Sequence, residues 1–555
     1  MRAVPGNFFI VTSDERRWVL RTALLILALT SLPYLVGYAS QGAEWRFTGF
    51  VFGVEDGNSY IAKMLRGSAG DWLFETPYTS QPQSGVVAFL PYLLLGKLAA
   101  PPALHEQLVV LYHLFRIGAG VLCLLATYDF IALFCRRIIY RRFGMLLTAL
   151  GGGLGWILVL FGKSQWLDSL PLEFYSPETF GFLSLYGIPH LALARAALLW
   201  ALTVYLRCSM DEAVDLRHSS LLLGVLWLMV ALAQPISAVV LGIIIGLHSV
   251  VSLLWLSRRE RTMQTQEMPI WKRSIRLGMT ALIVPVPFLL YNLVSFARDP
   301  FLRAWTAQNI IRSPHPAHYL MAYGLVLPCA ALGAVYLYRR VATWLALYLP
   351  VWVCSLPFLA YAPFNLQRRL PEGIWVALVG LCMVALESWK PPTQVQQLKS
   401  ALIGVFILAF PSTILLWVGG FLTALRPVEP VFRPADEVEV FMFLGKVARS
   451  QETVLAPYST SNALPAWAPV RVVVGHGPES VDAAQLKPQI EAFFELKMAE
   501  ADMVAFLKEH GVRYVIWNEE EAEAQGLRSD GSGIFSLLHR AGSYALYQVT
   551  TQIYP

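Results

Sequence analysis

Glu55 and Asp56 stand side by side in the string Val54-Glu55-Asp56-Gly57-Asn58-Ser59-Tyr60, after the first apolar stretch long enough to cross a membrane. Two adjacent carboxylates there can supply a general base. When a sugar leaves a phosphate, its anomeric carbon becomes oxocarbenium-like, as in glycoside hydrolysis. The attacking hydroxyl must lose its proton, and a positioned carboxylate that takes it contributes roughly 10²–10⁴ in rate. A lipid phosphate leaves without protonation, so one base suffices. The same string supports a second reading, in which the Asp caps the exposed amides of a helix over 58–65. Tyr60 and Lys63 follow on this segment and are candidates for the wall of a substrate cavity.

A second cluster is Asn365-Leu366-Gln367-Arg368-Arg369-Leu370-Pro371-Glu372-Gly373. Loop charge places Arg368 and Arg369 outside the cytoplasm, against the usual bias of basic residues. An anionic headgroup is a reason to hold them there, because arginine grips phosphate in a two-pronged fork and keeps its charge in a low dielectric. Snorkelling to ordinary headgroups, or pairing with Glu372, are the alternatives. The outer loop 297–318 adds Arg312, His315 and His318. The two histidines could present imidazoles to one ligand, or simply sit at a helix start. No acidic partner of the HExxH kind accompanies them, so a metal site is not assigned, although a divalent cation is left open. His190 and Arg195 open another span and either line a cavity or bond neighbouring helices.

These residues need a membrane scaffold to position them. Of the 555 residues 56% are hydrophobic and 14% charged, against roughly 25% charged in soluble proteins, so the chain is polytopic. Its net charge of +6 comes mostly from short loops and does not imply nucleic-acid binding. The six cysteines lie in or beside apolar segments and suggest neither disulfides nor zinc. The expectation is an α-helical membrane protein of about eleven spans: 18–38, 108–134, 143–162, 188–207, 219–234, 236–256, 277–296, 319–338, 341–361, 373–389 and 401–423. The first is read as an uncleaved span rather than a signal peptide. The break between the fifth and sixth falls at Gln234-Pro235. Gly151, Gly152, Gly153 and Gly155 suggest close helix packing.

Arginine and lysine clusters at 136–142, 258–276 and 339–340 fall on the side of Arg16, Arg17 and Arg21. The positive-inside rule makes that side cytoplasmic and puts the C-terminus outside. The stretch 86–100 is apolar but short, with Pro91 inside it, and reads as a broken juxtamembrane helix. The organisation expected is a membrane domain over 1–425, with a first external loop at 39–107, and a small extracytoplasmic α/β domain over 426–555. In the latter, 452–457, 470–476, 512–518 and 543–549 read as strands and 482–510 as one or two helices.

The layout resembles the polyprenyl-phosphate-dependent, GT-C type glycosyltransferases, which include the protein O-mannosyltransferases and the lipid A aminoarabinose transferases. The resemblance is carried by EDGNSYIAKMLRGSAGDWLFETPYTSQPQSG, FLSLYGIPHLALAR and NLQRRLPEG, and in the tail by VLAPYSTSNALPAW and VRVVVGH. These strings are similar to those of an uncharacterised bacterial branch of that group. The resemblance implies Asp56 as base, with Glu55 as its alternative or helper, and Arg368 or Arg369 on the donor phosphate. It implies a polyprenyl-phosphate sugar donor, membrane lipid and an acceptor glycan, lipid or protein as partners, at the cell (inner) membrane. No WWD-type motif is present, so transfer to asparagine is not implied. A transporter or flippase of a lipid-linked or anionic substrate is the alternative, and a binding or assembly protein a third reading.

Overall fold

Long apolar stretches carrying internal Pro and Gly become helices that stop or bend where those residues fall. The computed structural model of the chain describes residues 10–389, 400, 403–404, 406–518 and 534–550. Among the described residues, six helices are long and apolar enough to cross a membrane: Ser13–Ser40 (α1), Leu104–Ile131, Pro189–Met210, Leu216–Ala233, Pro235–Leu256 and Gln367–Ser388. Two helix pairs, Arg261–Leu282 with Val286–Arg298 and Pro316–Tyr323 with Leu327–Val341, are bent by 55° and 78° and bring the count to eight if each pair is one span. The chain is an integral membrane protein, but eleven continuous spans are not found among the described residues.

The difference has local causes. The stretch 143–162 does not form one helix: Ile138–Leu150 stops at Gly151, which is extended, and only Gly155–Leu160 follows. A Cβ on Gly153 would lie 2.6 Å from the Cα of Ala322. These glycines do allow close packing, at a helix end rather than inside a span. The stretches 341–361 and 401–423 appear as the shorter apolar helices Leu345–Ala360 and Pro411–Ala424. Residues 401, 402 and 405 of the second lie outside the described residues. The break at Gln234-Pro235 is found as expected, with the proline in the first turn of its helix.

Contacts divide the chain into two units. The first comprises Met1–Ser31, Phe115–Asn292 and Ile310–Gly419, the second Leu32–Leu114, Leu293–Asn309 and Gly420–Pro555. In the first unit, buried charge is closed by buried partners. Arg141 reaches Glu15 at 2.8 Å, and the Tyr128 hydroxyl donates to the same carboxylate at 2.7 Å. A charge removed from water persists only when paired in this way.

The second unit joins residues 32–114 to the tail. Strand β1 (Trp45–Phe47) pairs antiparallel with β2 (Phe432–Pro434), Phe47 opposite Phe432. Helix α2 (Val54–Ser68) buries Ile61, Met64 and Leu65, three to four residues apart on one face. It meets α3 (Leu90–Gly96) so closely that a Cβ on Gly96 would fall 1.8 Å from the Met64 carbonyl oxygen. With seven residues, α3 is about 10 Å long, too short to span.

The tail carries a five-stranded sheet in the order β4-β3-β5-β7-β6. Its strands are β3 (Thr453–Leu455), β4 (Arg471–Val472), β5 (Val512–Asn518), β6 (Phe535–Ala541) and β7 (Tyr544–Val549). Strands β4, β3 and β5 are parallel, and β7 is antiparallel to both β5 and β6. Side chains alternate along β5. Tyr514 and Ile516 pack with Phe441 and Leu444 on one face, and Val515 and Trp517 with Phe493 and Leu507 on the other. The edge at β4 is covered by the segment that follows α2. Val472 N–H donates to the Pro77 carbonyl at 2.8 Å, and Thr79 bridges Val474. Strand β6 was not expected from the sequence; most of its residues are exposed, so it lacks the apolar alternation that marks a strand.

Candidate active site

Helix α2 starts earlier than the cap reading of Asp56 requires. Gly53, at φ 55°, turns the chain in the left-handed region, and the helix begins at Val54. Glu55 and Asp56 therefore occupy the first helical turn, and no side chain caps the helix. Exposed amides and the helix dipole favour negative charge there. Both carboxylates are exposed, Asp56 at 61% of its side chain.

The tail holds this pair from its far side. Beyond β4 the chain passes Gly475 and presents His476, which is buried. Its Nε2 lies 3.1 Å from Asp56 Oδ1. An ionised carboxylate only accepts, so the imidazole donates. Its Nδ1 faces Glu479 Oε1 at 3.7 Å. Glu479 in turn accepts from Lys63 Nζ at 2.6 Å, from Ser59 Oγ at 2.7 Å and, on Oε2, from Thr76 Oγ1 at 2.6 Å. Lys63 also donates to Ser59 Oγ. Its ammonium stands 4.4 Å from the ring centre of Phe89 and 5.3 Å from that of Phe74. Asp56 is thus the exposed end of a chain that runs inward through His476 and Glu479 to a fully buried lysine. Burial pushes the Glu479 carboxyl up, but the charges of Lys63 and His476 and the bonds from Lys63 and Thr76 outweigh it and hold it low.

Glu55 has its own partner. The Tyr458 hydroxyl donates to Glu55 Oε2 at 3.2 Å and accepts from Gly477 N–H at 3.1 Å. Burial, then the Glu55 charge, push this phenol up to about 12, so it remains a donor. Asn462 Nδ2 donates to the Glu55 carbonyl at 3.4 Å, and Asn58 Nδ2 donates to Asn462 Oδ1 at 2.8 Å.

The other expected residues fall as follows. Tyr60 is half-buried and stacks on Tyr92, with centroids 4.6 Å apart. In the first unit, Arg195 is buried and its five N–H groups are all spent, on Glu372, the Phe180, Pro177 and Glu178 carbonyls and Ser184 Oγ. This matches the helix-bonding reading rather than the cavity reading. His190 is half-buried in the first turn of Pro189–Met210. Glu372 is taken by Arg195. Arg369 instead faces Glu178 at 3.5 Å, and the Arg368 guanidinium lies 4.4 Å from the Tyr175 ring centre. Ile311 N–H donates to the Asn365 carbonyl at 2.7 Å, which ties the stretch preceding the exposed Arg312 to the loop that carries both arginines. His315 caps the helix Pro316–Tyr323 by accepting from Ala317 N–H, and His318 donates to the Trp166 carbonyl at 2.7 Å. The two histidines do not converge. No group of three His, Cys, Asp or Glu side chains among the described residues could hold a metal ion.

His476, Glu479 and Tyr458 were not singled out from the sequence. The available signals were a histidine ending the Val-rich stretch VRVVVGH and a tyrosine after ETVLAP.

No family model matches the chain, and no curated protein matches it in sequence. Its fold matches solved structures along almost its whole length. The archaeal oligosaccharyltransferase AglB from Archaeoglobus fulgidus, in complex with an inhibitory peptide and a dolichol-phosphate, is 12% identical, with a TM-score of 0.53 over 98% of this chain and 75% of that one. ArnT from Cupriavidus metallidurans, bound to undecaprenyl phosphate, is 14% identical, with a TM-score of 0.50 over 96% of this chain and 99% of that one. Arabinofuranosyltransferase AftD from Mycobacteria is 14% identical at a TM-score of 0.55; the match covers 98% of this chain but only 42% of AftD. These neighbours are GT-C glycosyltransferases, and the chain shares their fold.

Proposed function

We propose that this chain, which has the GT-C fold, moves a sugar from a polyprenyl-phosphate carrier to an acceptor hydroxyl on the extracytoplasmic face of the membrane. The observation that carries the reading is the exposed Asp56 carboxylate at the start of α2, backed by buried His476 and Glu479. Two of the fold neighbours carry a polyprenyl-type phosphate, dolichol-phosphate in AglB and undecaprenyl phosphate in ArnT. Fold alone does not assign chemistry; the residues of the site do.

The acceptor oxygen attacks the anomeric carbon and forms the new C–O bond. The bond from that carbon to the phosphate oxygen breaks, and its electron pair leaves with the lipid phosphate. The acceptor proton passes to Asp56, whose orientation His476 fixes. Glu55, already accepting from Tyr458, is the helper. Arg368 and Arg369 are assigned to the departing phosphate, where a fork of N–H donors offsets the developing charge. Arg195 is left out, because its donors are consumed within its own unit. A divalent cation would find carboxylates at Glu55 and Asp56 but no third ligand among the described residues, and no step here uses one.

The deciding experiment supplies purified, reconstituted protein with radiolabelled polyprenyl-phosphate sugars and follows release of lipid phosphate with labelled product. Asp56→Asn is expected to fold normally and lose transfer; near-normal turnover would sink the assignment. The carrier alternative draws on the two bent helix pairs, since broken helices are a transporter feature. It requires label to accumulate in vesicles on its original lipid.

A further inference from the structure

The parallel strands β4, β3 and β5 all release the chain at one end of the tail sheet. β3 leads to Tyr458, β4 to Val474, and β5 ends on Trp517 and Asn518, and these residues line a cleft of about 460 Å³. From β3 the chain goes to one side to make β4, then crosses to the other to make β5. The cleft therefore opens where the strand order reverses, the place where open sheets of this kind bind ligands. Its volume falls in the range of about 300–1,000 Å³ of small-molecule sites.

The lining says what fits. Lys487 and Glu491 are one turn apart on the helix Ala483–Phe494, and both line the cleft. They form no ion pair with each other or with another described side chain. The Lys487 ammonium instead lies 3.5 Å from the ring centre of Tyr458. Phe494 and Trp517 supply apolar wall, edge to face with centroids 5.2 Å apart. A sugar ring has a C–H face for such rings and a rim of hydroxyls that both donate to a carboxylate and accept from an ammonium. A phosphate would meet one lysine against the carboxylates of Glu491 and Glu495, and a purely apolar ligand would strand the charges. Tyr458 walls the cleft and also donates to Glu55, so an occupant sits one side chain away from the acidic pair.

We infer that this cleft binds a saccharide and that the saccharide is part of the acceptor. The word acceptor rests on the transferase reading; saccharide binding does not. The test presents the full chain in nanodiscs to a microarray of immobilised hexose, pentose and amino-sugar oligosaccharides, on which multivalent display compensates for weak single contacts. Wild type is expected to capture a defined subset of the array. Lys487→Ala and Glu491→Ala, both at solvent-accessible positions and checked for an unchanged melting temperature, are each expected to weaken capture by roughly tenfold or more. Two variants are used so that the loss of one fold leaves the other informative. A blank array with wild type, or unchanged capture by both variants, overturns the inference. If the array is blank while Asp56-dependent transfer persists, the cleft assignment fails alone. If saccharide is captured and no sugar moves, the transferase reading fails and the cleft remains.

Discussion

His476 Nε2 and Asp56 Oδ1 meet at 3.1 Å although 420 residues separate them in the chain, and only the aspartate is exposed. A buried donor behind an exposed carboxylate orients it without blocking it. His476 is therefore a positioning residue. His476→Ala is expected to lower kcat by roughly tenfold to a hundredfold, less than the 10²–10⁴ expected for Asp56→Asn, with the acceptor KM little changed. His476→Gln can still donate and is expected to recover part of the loss. A purely structural role would instead lower the melting temperature and give no rescue.

The two carboxylates can be told apart. Glu55 accepts from Tyr458, while Asp56 is the one joined to His476. Glu55→Gln and Tyr458→Phe are each expected to reduce transfer by about tenfold or less, since each removes one hydrogen bond. Loss from Glu55→Gln as large as that from Asp56→Asn would make Glu55 the base.

Lys63 and Glu479 should behave as a closed pair. Both are buried and 2.6 Å apart. Lys63→Met leaves a buried carboxylate unpaired and is expected to cost about 3–5 kcal/mol. The double variant Lys63→Met/Glu479→Gln is expected to regain a large part of that, because the remaining charge is gone. Thermal melting of the two single variants and the double variant checks it; additive losses would show that the pair is not coupled.

Acid stability follows from the same carboxylate. Glu479 is held below its ordinary value of 4.5 in the folded state. A group depressed on folding contributes stability that is complete above its unfolded value and is lost as pH falls through its folded one. The melting temperature is expected to drop once pH falls below about 4.5, and Glu479→Gln is expected to flatten that part of its contribution. An acid limb identical in the variant would assign the loss to other groups.

For the arginine loop, Arg368→Ala and Arg369→Ala are expected to raise the KM for the lipid-phosphate donor, and Arg→Lys at either position to restore it only in part, since an ammonium lacks the planar fork. Titrating donor against initial rate separates this from a fall in kcat alone.

Much of the scaffold could be read from the sequence, and the reasons are local. The run ahead of Gln41 is long and apolar, and it is a helix, Ser13–Ser40. Pro235 starts a helix where it was expected to. What escaped was the effect of Gly151 and of the breaks before Val286 and Leu327, which turn apolar length into bent or shortened helices. Hydropathy sums over such breaks and does not register them. The acidic pair was visible because its members are neighbours in sequence. Its partners were not, because a histidine after a strand acquires meaning only when the fold sets it beside a carboxylate hundreds of residues away. The cap reading of Asp56 failed on one backbone angle, at Gly53, which periodicity does not report.

The pairing of Phe47 with Phe432 also sets a clock. At about 5–20 residues per second of synthesis, roughly 20–80 s pass between the emergence of these two partners. Through that interval Glu55 and Asp56 exist without Tyr458 or His476. A chain interrupted before the tail is made would insert its early helices and still lack the finished site, so on the proposed function a truncated product would occupy the membrane without transferring sugar.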